Sequence, residues 1–238
     1  MHKAGEPRKA DQVRTMFASI AHRYDLLNHL LSCNIDSRWR KTLVGVVLHR
    51  LGRIRPRILD IGCGTADLAL AFPVHTRVVG SDFCAPMLQI AGRKVHAAGR
   101  NVQIDLLAAD ALALPFCPGS FDAVVSAFVL RNLADRALGI VEMKRVLRPG
   151  GVVGILEFGM PAAPLLRSLY GLYFHRILPQ IGRLISGSDG PYKYLPESVR
   201  EFPGSRQLSE EMRQAGFASV DCRALTGGIA VLLTGLAS

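Results

Sequence analysis

The chain has 238 residues, with 29 Lys+Arg against 19 Asp+Glu, seven His and five Cys. Hydrophobic residues at 49% and charged residues at 20% exclude a mainly disordered chain. The net charge of +10 asks for an anionic partner: nucleic acid, a membrane surface or a phosphorylated substrate. A single domain over 1–238 is expected at this length. The start, Met1–Gln12, lacks the apolar stretch of a signal peptide. The uncharged tail Ala224–Ser238 is too short to span a bilayer, so no transmembrane helix is expected. Cys33, Cys63, Cys84, Cys117 and Cys222 are scattered without zinc-like spacing. They read as reduced thiols of a cytoplasmic protein, and no metal site is expected.

A helical cap opens the chain, over about 10–52. Val13, Met16, Phe17, Ile20, Tyr24, Leu27 and Leu31 recur at spacings of three and four, which predicts an amphipathic helix. A second helix is expected over Ser37–Leu51, stopped by Gly52. From about 56 to 158 the pattern becomes α/β. Apolar runs at Arg57–Ile61, Arg77–Ser81, Val102–Leu107, Phe121–Ala127 and Val152–Phe158 alternate with helix-length segments. Those segments include Pro86–Ala98 and Ala134–Leu147, the latter closed by Pro149-Gly150-Gly151. Continuous strands separated by helices predict a parallel, doubly wound, Rossmann-like sheet. Between about 159 and 200 the rhythm breaks into an apolar, arginine-bearing helical insertion. The last unit, about 205–238, holds a helix and two runs, Phe217–Leu225 and Ile229–Leu233. Thr226-Gly227-Gly228 between them is too short for a crossover, so the seventh strand should close an antiparallel hairpin.

The candidate site begins in Ile58-Leu59-Asp60-Ile61-Gly62-Cys63-Gly64-Thr65-Ala66-Asp67. A strand running into Gly62-x-Gly64 and then a helix lets the backbone approach a ligand and offers free amides. Asp67 occupies the place of a dinucleotide fingerprint's third glycine, and its charge would repel pyrophosphate. Asp60 beside the turn suits an ammonium group, such as that of the methionine part of S-adenosylmethionine. Asp82 follows the next strand, where a carboxylate accepts hydrogen bonds from ribose hydroxyls. Its bland alternative is a helix N-cap. Asp110, before Ala111, is placed to meet an adenine amino group, or else is a plain turn aspartate. Thr65, Ser126 and Ala127 complete the expected cofactor site.

Several separated blocks resemble the ubiquinone/menaquinone-biosynthesis C-methyltransferases, the UbiE/MenG family. They are Tyr24-Asp25-Leu26-Leu27-Asn28 with Trp39; Asp60 to Asp67; Asp110-Ala111 with Leu114-Pro115-Phe116; Leu130-Arg131-Asn132; Arg148-Pro149-Gly150-Gly151 with Glu157-Phe158; and Tyr192-Lys193-Tyr194-Leu195-Pro196-Glu197-Ser198. The chain departs from the family at Leu27 (usually methionine), Asp36 (usually histidine), Ala127 (often serine) and Gly159 (usually serine). The resemblance implies a class I fold and S-adenosylmethionine as cofactor. It implies a prenylated hydroquinone, demethylmenaquinol or a ubiquinol precursor, as acceptor.

Methylating a ring carbon needs a phenolate that pushes charge into the ring. The resemblance assigns that assistance to Arg131, with Asn132 orienting the hydroxyl; an ion-pair role for Arg131 is the alternative. Tyr24 is a second-tier catalytic candidate, Tyr192, Tyr194 and Glu197 would line the substrate side, and His29 and His175 are possible bases. Nucleic-acid acceptors are disfavoured, since no Pro-Pro follows the fourth strand and no RNA-binding module is visible. Another small aromatic acceptor, or a non-catalytic scaffold role in a quinone-synthesis complex, stays open. A lipid-borne substrate suggests peripheral contact with an anionic membrane through Pro164–Ile185, and a homodimer is an alternative use of that face.

Overall fold

The computed structural model describes residues 11, 13–21, 34–161, 163–172, 198–199 and 202–238. Seven strands form one sheet in the order β3-β2-β1-β4-β5-β7-β6. They are β1 (Arg57–Ile61), β2 (Arg77–Asp82), β3 (Ile104–Ala108), β4 (Phe121–Ala127), β5 (Leu147–Phe158), β6 (Phe217–Leu225) and β7 (Ala230–Ala237). β1 to β5 pair in parallel, β1 lying between β2 and β4. β7 enters antiparallel between β5 and β6, so the expected hairpin is present. The order reverses at β1, and the chain leaves the carboxyl ends of β1 and β4 on either side of a crevice, where such sheets bind ligands.

The strands read as unbroken apolar runs because both sheet faces are covered. Ile58, Val78, Ala123, Val125, Val152 and Leu156 pack with Trp39, Leu43 and Val47 of helix α1 (Ile35–Leu51). Their strand neighbours Leu59, Ile61, Val124, Val153 and Ile155 pack on the other face. Ile140, Met143, Leu208 and Met212 meet them there, from helices α4 (Arg136–Val146) and α6 (Ser205–Gln214). Helices α2 (Asp67–Ala71) and α3 (Ala85–Ala97) follow β1 and β2, and α5 (Pro164–Leu172) follows β5.

Several boundaries shift from the sequence expectation, among them β3, which starts at Ile104, and β7, which runs on to Ala237; the most consequential lies before β5. Arg148-Pro149-Gly150-Gly151 does not follow a helix as a free turn; it lies inside β5. The β4–β5 register shifts between Phe121 and Ala123, which absorbs the proline and the left-handed Gly150 (φ 73°) as a strand irregularity. Helix α4 stops at Val146 accordingly. Among the described residues, no helix is long and apolar enough to cross a membrane.

Candidate active site

The chain leaves β1 through two left-handed glycines, Gly62 (φ 63°) and Gly64 (φ 54°). Gly62 also needs its missing side chain: a Cβ there would lie 2.5 Å from Cγ2 of Val129, on the loop after β4. The turn is tied to β2, since the Cys63 amide donates to the Ser81 carbonyl (2.9 Å) and the Gly64 amide to Asp82 Oδ2 (2.9 Å). Helix α2 then starts at Asp67, whose carboxylate pairs with Lys94 of α3. The negative charge that the sequence sets against pyrophosphate is thus shared with a cation.

Asp82 ends β2 and is buried. Besides the Gly64 contact, its Oδ1 accepts from the Cys84 amide at 2.8 Å. Both sequence readings of Asp82 therefore have a physical basis, because the carboxylate organises the start of α3 while bordering the main cleft. Burial pushes its pKa up, and the Cys84 and Gly64 amides pull it back.

Asp60, one strand over, is 1% exposed and differently served. Its Oδ2 has no hydrogen-bond partner among the described residues. Burial pushes its carboxyl up to about 8, against the opposing charge of Arg40 and with Asp82 adding to the rise. Asp60 lines a recess of about 310 Å³ with Arg40, Gly62, Gly64, Thr65, Asp67 and Ala127. A buried carboxylate oxygen with no donor, facing a hollow, fits a ligand bearing an ammonium group.

The main cleft, about 850 Å³, runs from this turn past Asp82, Phe83, Asp110, Ala111 and Leu112 to Phe128, Val129, Asn132 and Leu133. Asp110 is exposed, with Oδ1 accepting from the Leu112 amide at 2.9 Å, so it forms a side-chain turn that presents its other oxygen near the cleft. Ala111 and Ala127 line the cleft as the sequence suggests. Ser126 lines neither hollow; it is fully buried and its Oγ has no partner among the described residues. Adjacent strand residues point to opposite faces, so Ser126 and Ala127 do not share one. Burial raises the Cys63 thiol well above its usual range and raises Cys84 as well, which keeps both protonated and poorly nucleophilic.

After β4 the backbone of Phe128 is itself left-handed (φ 64°), an expensive conformation for a bulky residue. Arg131 Nη1 donates to the Phe128 carbonyl (2.6 Å) and Asn132 Nδ2 donates to the same oxygen (3.2 Å). Arg131 also pairs with Glu157 at 3.1 Å, where the two side chains are 7% and 0% exposed, and lies 5.2 Å from the Phe158 ring centroid. Burial raises the Glu157 pKa and Arg131 lowers it. The structure thus places Asn132 on the cleft wall, and Arg131 behind that wall, bracing the turn that shapes it. Tyr24, Tyr192, Tyr194 and Glu197, with His29 and His175, lie outside the described residues.

Sequence reasoning passed over Arg40, a charged residue buried on α1, and Phe128, whose strained backbone only coordinates reveal; it noted Asp36 as a departure from the family without placing it, buried, beside Arg40.

Strand-end acids around a glycine turn, on a seven-stranded sheet closed by an antiparallel hairpin, define a class I S-adenosylmethionine-dependent methyltransferase. The chain belongs to the ubiE/COQ5 methyltransferase family, which it matches over residues 3–237. It is 48% identical over 223 residues to the demethylmenaquinone methyltransferase of Thermus thermophilus, covering 92% of this chain and 99% of that one. It is 43% identical over 232 residues to the ubiquinone/menaquinone biosynthesis C-methyltransferase UbiE of Geobacter sp. strain M21, covering 95% and 97%. Among solved structures, a possible histamine N-methyltransferase from Thermotoga maritima shares the fold, with a TM-score of 0.66 at 16% identity over 95% of this chain and 100% of that one. S-adenosylmethionine is the cofactor, and the unpartnered Asp60 oxygen and the Gly62–Gly64 turn fit it.

Proposed function

We propose that the protein methylates a ring carbon of a prenylated hydroquinone in quinone biosynthesis, the acceptor being a demethylmenaquinol or a ubiquinol precursor. The observation that carries this reading is the near full-length similarity to a demethylmenaquinone methyltransferase. The cleft supports it: Phe17, Phe83, Met87, Phe128, Val129 and Leu133 give a largely apolar wall with the Asn132 amide set into it.

S-adenosylmethionine supplies the electrophilic methyl group when bound. A phenol gives up its proton at about 10 in water, so a cation that stabilises the phenolate helps more than a strong base. In this reading Arg131 provides the positive potential behind the cleft wall, fixed by Glu157 and the Phe128 carbonyl. Asn132 orients the substrate hydroxyl, and the apolar wall excludes water from the reacting carbon. The ring carbon would form the new C–C bond as the cofactor's sulfur–methyl bond breaks with its electron pair left on sulfur, and the ring proton would then pass to water, restoring aromaticity.

Because such a substrate stays in lipid, the protein meets it at an anionic membrane surface. Helix α5 contributes exposed Leu165, Arg167 and Leu172 to that contact. Co-sedimentation with anionic vesicles checks it; protein left in the supernatant at low salt removes the membrane contact.

Lipid-quinone profiling of cells with and without the gene tests the function itself. Loss of the gene should accumulate the demethylated quinone, and an unchanged quinone pool would refute the assignment. Arg131→Ala probes the mechanism. It should cut single-turnover methyl transfer far more than cofactor affinity, and it should destabilise the fold by about 3–5 kcal/mol because Glu157 is left buried and unpaired. The double variant Arg131→Met/Glu157→Gln removes the stranded charge. If stability and rate both recover in it, Arg131 is structural only.

A further inference from the structure

Helix α1 brings a second charge into the recess that holds Asp60. Arg40 is 7% exposed and lines that recess together with Asp60, Thr65 and Asp67. Its guanidinium pairs with Asp36, one helical turn earlier and also buried, and lies 5.6 Å from the Phe128 ring centroid. Asp36 is its hydrogen-bonding partner among the described residues, through Nη1, while a guanidinium presents five N–H donors in a planar fork. Lys94 does not line the recess; its Nζ contacts the Asp67 carboxylate and the Thr65 hydroxyl, two groups that do.

The hollow therefore offers one buried carboxylate oxygen lacking a donor and one buried guanidinium with donors to spare, beside the turn that opens the cofactor cleft. Beside the Asp67–Lys94 pair, a guanidinium and a carboxyl that ionises on meeting a cation face one small space, which matches a zwitterion. An ammonium and a carboxylate on the same carbon, the end group of an α-amino acid, would satisfy both at once.

We propose that Arg40, held in place by Asp36, binds the α-carboxylate of the cofactor's methionine part while Asp60 takes its ammonium group. The inference rests on S-adenosylmethionine being the cofactor. It gives a purpose to Asp36: an acid one turn before Arg40 fixes the rotamer of a long side chain and balances its charge before the ligand arrives. Asp36 and Arg40 are positioning and binding groups, and neither touches the reacting methyl.

The test compares S-adenosylmethionine with its decarboxylated analogue, which differ only in the carboxylate, and adds 5′-methylthioadenosine, a neutral thioether that lacks the amino-acid chain altogether. Calorimetry on the wild-type protein should show the carboxylated ligand preferred over the decarboxylated one by about tenfold to a hundredfold, the range of a charge-assisted contact. Arg40→Ala should abolish the preference for the carboxylated over the decarboxylated ligand and leave 5′-methylthioadenosine unchanged. Arg40→Lys should keep part of the preference, because it retains the charge without the fork. Asp36→Asn should weaken the preference without abolishing it.

Circular dichroism establishes which variants fold. Should Arg40→Ala not fold, the wild-type preference and its reduction in Arg40→Lys carry the decision. Equal affinity of the wild type for the carboxylated and decarboxylated ligands overturns the proposal. So does an equal loss for all three ligands in Arg40→Ala, which would mark Arg40 as a packing residue. A wild type that binds neither S-adenosylmethionine nor methylthioadenosine overturns the cofactor reading itself, and this inference with it.

Discussion

Asp60 and Asp82 end neighbouring parallel strands, both are buried, and a sequence reader treats them alike. The structure does not. Asp82 has both oxygens engaged by backbone amides, from Gly64 and Cys84, so its charge is stabilised before any ligand arrives. Asp60 has an oxygen without a donor and a carboxyl pushed up to about 8 despite the opposing charge of Arg40, so its charge is only partly stabilised before a ligand arrives. One acid is part of the scaffold and the other is part of the reaction to binding. On the proposed reading, in which Asp82 meets the ribose and Asp60 the ammonium group, the first contact is preorganised and the second is proton-linked.

The largest expected effect follows from removing the scaffold acid. Asp82→Ala should weaken S-adenosylmethionine binding by about tenfold to a hundredfold, roughly 1.5–3 kcal/mol, at every pH, since it removes the ribose acceptor and frees the Gly64 amide. Calorimetry decides it, and unchanged affinity would take Asp82 out of the cofactor site.

The next effect separates the two acids. With its carboxyl pushed up to about 8, Asp60 holds its proton at neutral pH in the free protein, and on the proposed reading it loses that proton to meet an ammonium group. Affinity should therefore rise by up to about tenfold per pH unit up to roughly pH 7, above which the cofactor's own α-amino group also titrates. The charged groups acting on Asp60 are Arg40 on α1, Asp67 on α2 and Asp82 on β2. Titrations in buffers of different ionisation enthalpy should show proton release at pH 7 in the wild type. Asp60→Asn should lose the release and the rising limb, whereas Asp82→Ala should keep both. A flat profile in the wild type would make Asp60 and Asp82 equivalent after all.

The smallest effect is on stability. Asp60 has a folded pKa far above its unfolded value of 3.8, so the folded state holds a proton that the unfolded state releases. Stability is therefore lost as pH rises from about 4 toward 8, and flattens above that. Asp60→Asn removes this cost and should raise the Tm of the ligand-free protein at pH 8, by about 2–4 °C for each kcal/mol regained. At pH 4 the variant and the wild type should melt together. A variant less stable at pH 8 would contradict the uncompensated burial of Asp60.

Much of the site was legible because the strand–turn–helix pattern fixes where strand-end side chains go: Asp60, Gly62, Gly64, Asp82 and Asp110 all fall at carboxyl ends of parallel strands. Ser126 shows the limit of such reading, since the strand's two-residue alternation puts it on the opposite face from Ala127. Arg40 was missed for a different reason. A charged residue on an amphipathic helix reads as solvent-facing, and only the packing of α1 on β4 and β5 turns it toward the recess. The strained Phe128 turn gave no signal either, because left-handed backbone is normally announced by glycine and here an aromatic residue adopts it. The Arg131–Glu157 pair joins residues 26 positions apart, through the β4–β5 register that sequence spacing alone does not specify.

The central claim, methyl transfer to the ring of a reduced quinone, is tested most directly with purified protein, S-adenosylmethionine carrying a labelled methyl group, and demethylmenaquinone in anionic vesicles. The reaction is run once with the quinone chemically reduced and once oxidised, and the lipid extract is read by mass spectrometry. The account predicts labelled menaquinol from the reduced acceptor and none from the oxidised one, because only the hydroquinone yields a phenolate. Labelled product from the oxidised quinone at the same rate, or none from either form while S-adenosylmethionine still binds, would contradict it.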